Sequence, residues 1–120
     1  SDWSLIKLEM ARSADYPFGS VSRAYLIRVP LDRVGMIDGA GVAQNPKRAT
    51  VRRFWPNEPD QSGYVVKCQH RWGFREGDYP GSKGCFASMP DCSIRAGALL
   101  KVIERNGTSS PFRVAEISLV

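Results

Sequence analysis

The chain has 120 residues, of which 42% are hydrophobic and 24% are charged, so its composition is that of a globular protein and not of a disordered one. This length fits one domain, residues 1–120. The formal net charge of +5 is compatible with an anionic partner, but many proteins of similar charge bind no nucleic acid.

The cysteine count indicates a reducing compartment. The chain has three cysteines, Cys68, Cys85 and Cys92, whereas a disulfide framework in a short secreted chain normally has an even number. The first residues, SDWS, lack the basic and apolar regions of a signal peptide. No apolar run approaches the roughly 20 residues of a membrane helix. We therefore expect a soluble, cytoplasmic protein without a membrane partner.

The first two predicted strands alternate apolar and polar residues. Residues 4–10 read SLIKLEM, and residues 21–31 place Tyr25, Ile27 and Val29 on one face. A period of two residues is typical of strands that have one buried face.

A short helix and a third strand are predicted next. Asp38 could cap a helix that Pro46 would end, although two glycines weaken it. In residues 48–55, Arg48, Arg52 and Phe54 share one face, whereas Val51, Arg53 and Trp55 share the other. Neither face is purely apolar, so we expect this strand at an edge of the sheet or at the mouth of a barrel.

The remaining chain is predicted to form more short strands. Residues 64–70 form a strand with Tyr64, Cys68 and His70 on one face, and Gly73 marks a tight turn or a short aromatic strand. The other predicted elements are a mobile loop (75–84), strands (85–87, 98–104 and 112–120), a turn (89–91) and a hairpin at Asn106–Gly107. Together these elements predict an all-β domain of about seven or eight strands with at most one short helix, folded as a small barrel or a two-sheet sandwich.

Four side chains could supply metal ligands: Cys68, His70, Cys85 and Cys92. Thiols and imidazoles of this kind can close a tetrahedral zinc site, but no Cys-x-x-Cys pair is present, and cysteine also serves as a small buried hydrophobic residue. A thiol nucleophile would need the single histidine as its base. We expect no cofactor or metal, and keep a Cys/His enzyme or a zinc-stabilised domain as the third hypothesis.

The densest mixture of basic and aromatic residues lies between positions 47 and 75. Small barrels can bind single-stranded nucleic acid by stacking bases on aromatic side chains in a positive groove. The same pattern also has a purely structural explanation, in which arginines lie on the solvent face of a sheet and aromatic side chains fill a small core. We predict a non-enzymatic binding or accessory module that contacts a protein or an anionic ligand, with single-stranded nucleic-acid binding as the alternative. The predicted binding residues are Arg48, Arg52, Arg53, Trp55 and Tyr64, with Glu58 and Asp60 at the rim.

Two segments carry a family resemblance: SRAYLIRVPLD, and GMIDGAGVAQNPKRATVRRFWPNEPDQSGY. Together they cover about residues 20–64, and RRFWPNEPD is the most distinctive part. Over this stretch the chain resembles a group of small uncharacterised bacterial proteins of proteobacterial type. The group has no assigned activity, so the resemblance implies no catalytic or binding residue, and the three cysteines lie outside it.

Overall fold

Eight antiparallel strands make up most of the part of the chain that the structure describes. The computed structural model describes residues 1–79 and 84–120. In chain order the strands are β1 (Asp2–Met10), β2 (Ser20–Leu31), β3 (Thr50–Phe54), β4 (Gln61–Cys68), β5 (Arg71–Glu76), β6 (Cys85–Pro90), β7 (Leu99–Glu104) and β8 (Ser109–Leu119). A short helix, α1 (Gly39–Gln44), and a 3₁₀ turn (Pro46–Arg48) connect β2 to β3.

The sheet closes on itself because its first and last strands pair. Each strand is hydrogen-bonded to the next one along the chain, and β8 returns to β1, with Ser4 opposite Leu119 and Met10 opposite Phe112. A closed barrel has no free sheet edge. The all-β prediction is therefore confirmed in its barrel form, and the two-sheet sandwich is excluded.

Alternating side chains fill the inside of the barrel. In β1, Ile6 and Leu8 are fully buried, whereas Lys7 between them faces outward. Eight strands enclose a space that side chains can just fill. Burial of each large apolar side chain contributes about 1.5–3 kcal/mol to folding. The largest fully buried side chains are Trp72, Tyr25, Phe74, Phe112, Ile6, Leu8, Ile27 and Met89, which include two of the predicted inward residues of β2.

The predicted helix forms and has the predicted cap. The Asp38 carboxylate accepts a hydrogen bond from the Ala40 N–H at 3.1 Å. The helix ends before Pro46, which opens the 3₁₀ turn. No helix within residues 1–79 and 84–120 is long and apolar enough to cross a membrane.

Strand β3 lies within the barrel wall, between β2 and β4. The predicted edge position is therefore wrong, because barrel closure pairs both sides of every strand. Val51 and Arg53 point inward, whereas Arg52 and Phe54 lie on the outside. Arg48 precedes the strand, in the 3₁₀ turn, and is exposed.

Two predicted boundaries are corrected. Strand β4 ends at Cys68, so His70 lies in the turn to β5 and shares no strand face with that cysteine. Gln69 in this turn has a φ of 56°, a left-handed conformation that breaks the strand. The turn predicted at residues 89–91 is wrong for Met89 and Pro90, which continue β6, with Met89 opposite Trp72 in the interior.

Strand β5 is the predicted aromatic strand and not a tight turn. Trp72 and Phe74 both point into the barrel, and Gly73 between them lies on the outer face. The strand extends to Glu76, so the predicted loop begins later than residue 75. Residues 80–83 of that loop lie outside the described residues.

The last hairpin forms at the predicted Asn106–Gly107 pair. Gly107 has a φ of 87°, which glycine adopts without a steric penalty. Its N–H donates to the Glu104 carbonyl at 2.8 Å, and the Thr108 N–H donates to the Asn106 side chain at 2.9 Å. These bonds fix the connection between β7 and β8.

Candidate functional site

The seven predicted binding residues lie in two places on the barrel. Alternation along β3 turns Arg53 inward and its neighbour Arg52 toward solvent. Arg53, Trp55 and Glu58 meet Tyr25 and Glu104 at one open end of the barrel, and we name these five residues the mouth cluster. Arg48, Arg52, Asp60 and Tyr64 lie on the outside of the wall. The structure therefore does not join all seven in one surface.

Arg53 is the centre of the mouth cluster and is only 8% exposed. Its guanidinium donates to the Glu104 carboxylate at 2.9 Å and to the Glu58 carboxylate at 3.2 Å. The guanidinium carbon also lies 3.9 Å from the centroid of the Trp55 ring, a cation–π contact. Burial lowers the pKa of Arg53, but the hydrogen bonds, led by that to Glu104, outweigh this effect and raise it above its usual value.

Tyr25 forms the floor of the mouth cluster. Its ring packs against Phe112 and Phe74 at centroid distances of 5.2 and 5.4 Å. Its hydroxyl is buried and has no hydrogen-bond partner of ordinary geometry in the part of the chain that the structure describes. Burial, followed by the nearby charge of Glu104, raises the pKa of Tyr25 to about 12, although the Arg53 charge acts in the opposite direction.

The mouth cluster has little charge left to offer a ligand. Two carboxylates already surround the one buried guanidinium. The hollow above them has a volume of about 230 Å³ and is lined by Arg53, Glu58, Phe86, Glu104 and Arg105. With Arg105 at the hollow, two arginines face two glutamates above the aromatic rings, so we assign the mouth cluster a structural role.

The buried tyrosine makes alkaline stability a test of this arrangement. An unfolded tyrosine loses its proton near pH 10, whereas folded Tyr25 keeps its proton up to about 12. The contribution of this group to stability is therefore complete below pH 10 and is lost as pH rises toward the folded pKa. We expect the free energy of unfolding to fall by about 1.4 kcal/mol on this account by about pH 11.

Chemical denaturation of the wild type and of Tyr25→Phe between pH 9 and about 11 measures this effect. The Tyr25→Phe variant should lose less stability over this range, because it has no buried hydroxyl to titrate. Tyr64→Phe, which removes a half-exposed hydroxyl on the outer wall, is the control and should follow the wild type. Parallel pH profiles for the wild type and Tyr25→Phe would contradict the assignment.

A groove with a volume of about 390 Å³ runs along the outside of β1 to β4. The strand register creates it, because Leu5 lies opposite Arg28, and Leu26 lies opposite Arg52. Leu5 and Leu26 supply aliphatic surface, whereas Arg28, Thr50, Arg52 and Tyr64 supply polar and aromatic groups. We name this surface the outer groove.

The outer groove carries positive charge that is only partly neutralised. Arg52 pairs with Asp60 at 3.4 Å, but both side chains are well exposed, so this ion pair is weak. Arg28 is exposed and has no ion-pair partner within residues 1–79 and 84–120. Asp78 is the acidic residue in the lining. The groove can therefore attract an anionic group beside an apolar one.

A second basic hollow adjoins the groove. It has a volume of about 380 Å³ and includes Lys47, Arg48 and Tyr79. Tyr79 links the two hollows, since its ring lies 5.6 Å from the Tyr64 ring at the groove. Arg48 lies over the Trp3 ring at 4.5 Å, and Lys47 lies 6.0 Å from the Tyr79 ring. The two hollows together form a basic strip along one side of the barrel.

The four metal and catalytic candidates do not meet at one place. Cys68 and Cys85 lie on the outer face on either side of Gly73, whereas His70 lies in an exposed turn. Cys92 is half-buried in the connection after β6, where it packs against the core. His70 lines neither the outer groove nor the hollow above the mouth cluster. Within residues 1–79 and 84–120, no three His, Cys, Asp or Glu side chains form a group that could hold a metal ion.

Sequence reasoning missed the residues that β1 and β2 contribute to the outer groove. Leu5, Leu26 and Arg28 are far from RRFWPNEPD in sequence, and only strand pairing brings them beside Arg52. One signal was present, since the burial of Tyr25 and Ile27 implies that the alternate residues of β2 face outward. It could not show which strands lie on either side.

The resemblance of residues 20–64 to a group of small bacterial proteins stays a prediction. Searches against protein-family models, curated proteins and solved structures found no match to this chain.

Proposed function

We propose that the protein is a non-enzymatic binding module, and that its outer groove binds an acidic, partly apolar segment of a protein partner. The observation that carries this proposal is the pairing of Leu5 with Arg28 and of Leu26 with Arg52 across one groove. Carboxylates of the partner would contact the guanidinium groups, and its aliphatic side chains would cover the two leucines.

The partner would lie across the barrel wall. Extended peptides often bind by adding a strand to a free sheet edge, but every strand of this barrel already has two neighbours. Binding would therefore depend on side-chain contacts in the groove. The basic strip at Lys47 and Arg48 lengthens the surface that an acidic segment could follow.

Three features favour a protein segment over single-stranded nucleic acid. The exposed lining is aliphatic at Leu5 and Leu26, whereas single-strand binders stack bases on free aromatic faces. Arg48 already lies over one face of Trp3, and the Tyr64 ring is packed edge-on with Tyr79. Asp60 and Asp78 interrupt the positive charge of the groove, whereas single-strand binders have a continuous positive groove that follows the phosphate backbone.

We also infer that the protein acts in the bacterial cytoplasm. All three cysteines are free thiols, and a reducing compartment keeps thiols in that state.

Peptide binding measured by fluorescence anisotropy tests the groove. A labelled short peptide of alternating glutamate and leucine should bind the wild type at low salt and more weakly at high salt, because added ions screen exposed charges. A matched lysine–leucine peptide should not bind. We expect the double variant Arg28→Glu, Arg52→Glu to weaken binding of the acidic peptide by at least about tenfold, or about 1.4 kcal/mol.

The double variant Arg95→Glu, Lys101→Glu is the control, since it changes the net charge equally at exposed residues outside the groove. It should bind the acidic peptide like the wild type. An equal loss in both double variants would show attraction by net charge alone and overturn the proposal. Tighter binding of oligo(dT) than of the acidic peptide would overturn it in favour of single-stranded nucleic acid.

A further inference from the structure

Two thiols converge on the outer face of β5. Cys68 ends β4 and Cys85 begins β6, so the two residues lie on opposite sides of β5. A Cβ placed on Gly73 of β5 would lie 2.6 Å from the Cys85 sulfur and 3.6 Å from the Cys68 Cβ. The Cys85 side chain therefore leans over Gly73, and its sulfur lies on the side of β5 that faces Cys68.

This pair is too widely spaced at the backbone for a disulfide. Neighbouring strands lie about 4.8 Å apart, so residues two strands apart have Cα atoms separated by about 10 Å. A disulfide requires Cα atoms within about 7 Å of each other. A metal ion bound to both sulfurs can span a wider backbone separation than a disulfide, because two metal–sulfur bonds replace one sulfur–sulfur bond.

We propose that Cys68 and Cys85 together bind one Cu(I) ion through their two thiolates. Thiolates are soft ligands that select Cu(I), which is satisfied by two sulfurs in line. Zinc normally takes four ligands. Within residues 1–79 and 84–120 no larger group of metal-binding side chains is present, so a two-ligand ion fits this pair best.

The surroundings of Cys85 offset the charge that such a complex carries. Binding forms two Cu–S bonds and releases both thiol protons to solvent, so the complex has one net negative charge. Arg75 lies opposite Cys85 in the ladder, and the Arg105 guanidinium donates to the Cys85 carbonyl at 3.1 Å. Because Cu(I) binds thiolates and displaces both thiol protons, its affinity should increase with pH.

Competition with a coloured Cu(I) chelator, bicinchoninate, tests the site on the reduced full chain under anaerobic conditions. The wild type should withdraw one Cu(I) per chain and remain a monomer on gel filtration. Cys68→Ser and Cys85→Ser should each lower the affinity by about a hundredfold or more. Cys92→Ser is the matched control, because its thiol is half-buried elsewhere, and it should bind like the wild type.

Gly73→Ala tests the geometry while keeping all three thiols. The added methyl group would displace the Cys85 sulfur, which is the end of a rotatable side chain, so the fold should survive. We expect the variant to keep three reactive thiols per chain and a cooperative thermal transition. Its Cu(I) affinity should be weaker by about tenfold or more. Wild-type affinity in Cys68→Ser or in Cys85→Ser would overturn the proposal, as would a complex that needs two chains per ion.

Discussion

Replacing Gly63 with alanine is expected to lower the free energy of unfolding by more than about 3 kcal/mol. Gly63 lies in the interior of β4, opposite Val51 on one side and Glu76 on the other. A Cβ at this position would lie 1.8 Å from the Arg75 carbonyl oxygen. A backbone oxygen cannot rotate away as a side chain can, so β5 itself would have to move.

The three atoms nearest to an added Cβ at Gly63 all belong to the backbone of β5. Besides the Arg75 oxygen, they are the Arg75 carbonyl carbon at 2.8 Å and the Glu76 Cα at 3.2 Å. Overpacking usually costs about 1–3 kcal/mol when side chains can adjust, and a backbone clash exceeds that range. Because small domains are stable by only about 5–15 kcal/mol, the variant should unfold at a much lower denaturant concentration.

Urea denaturation followed by tryptophan fluorescence measures this loss. Gly39→Ala is the matched control, since its nearest contact to an added Cβ is a Trp72 ring atom at 4.0 Å. Gly39 is the first residue of α1, where alanine should be neutral or slightly stabilising. A loss below about 1 kcal/mol in Gly63→Ala would show that β5 can move away from β4 at low cost, and would contradict the prediction.

Arg53→Ala is expected to cost about 3 kcal/mol. The substitution removes the cation beside Glu104, whose side chain is only 24% exposed, and leaves that carboxylate without its partner. It also removes the cation–π contact with Trp55 and the buried stem of the side chain. The ion pair with Glu58 adds little, because that carboxylate is 52% exposed.

The neighbouring Arg52→Ala provides the control on the same strand. Arg52 has an exposed ion pair with Asp60, so its loss should cost less than about 1 kcal/mol. Arg53→Met keeps an apolar stem without the charge, and its stability should lie between those of Arg53→Ala and the wild type. Equal stability losses for Arg52→Ala and Arg53→Ala would contradict the assignment of a buried structural role to Arg53.

The strands were predicted from the sequence more accurately than the way in which they pair. The alternation that buries Ile6, Tyr25 and Val29 is visible in the chain, because a strand with one buried face must repeat every two residues. Whether these strands close into a barrel or form a sandwich depends on the pairing of β1 with β8. That pairing joins the two ends of the sequence and has no local signal.

The candidate site was likewise only partly predictable from the sequence. The alternation of β3 already implied opposite faces for Arg52 and Arg53, although their shared basic and aromatic neighbourhood favoured one surface. The inward arginine could not be recognised, because its partner Glu104 lies 51 residues away. The proximity of Cys68 and Cys85 was equally hidden, since it depends on the pairing of β4 and β6 with the two sides of β5.

Closure through β1 and β8 also sets the order in which the barrel can fold. Arg113 of β8 donates to Glu9 of β1 across 104 positions, whereas the other ladders join strands that follow each other along the chain. Neighbouring strands can pair over short connections, but loop-closure entropy delays contacts between distant residues. Until β8 docks, β1 and β7 each present an unpaired edge to which another chain could add. The incompletely closed intermediate is therefore the stage at which this protein is most prone to aggregate.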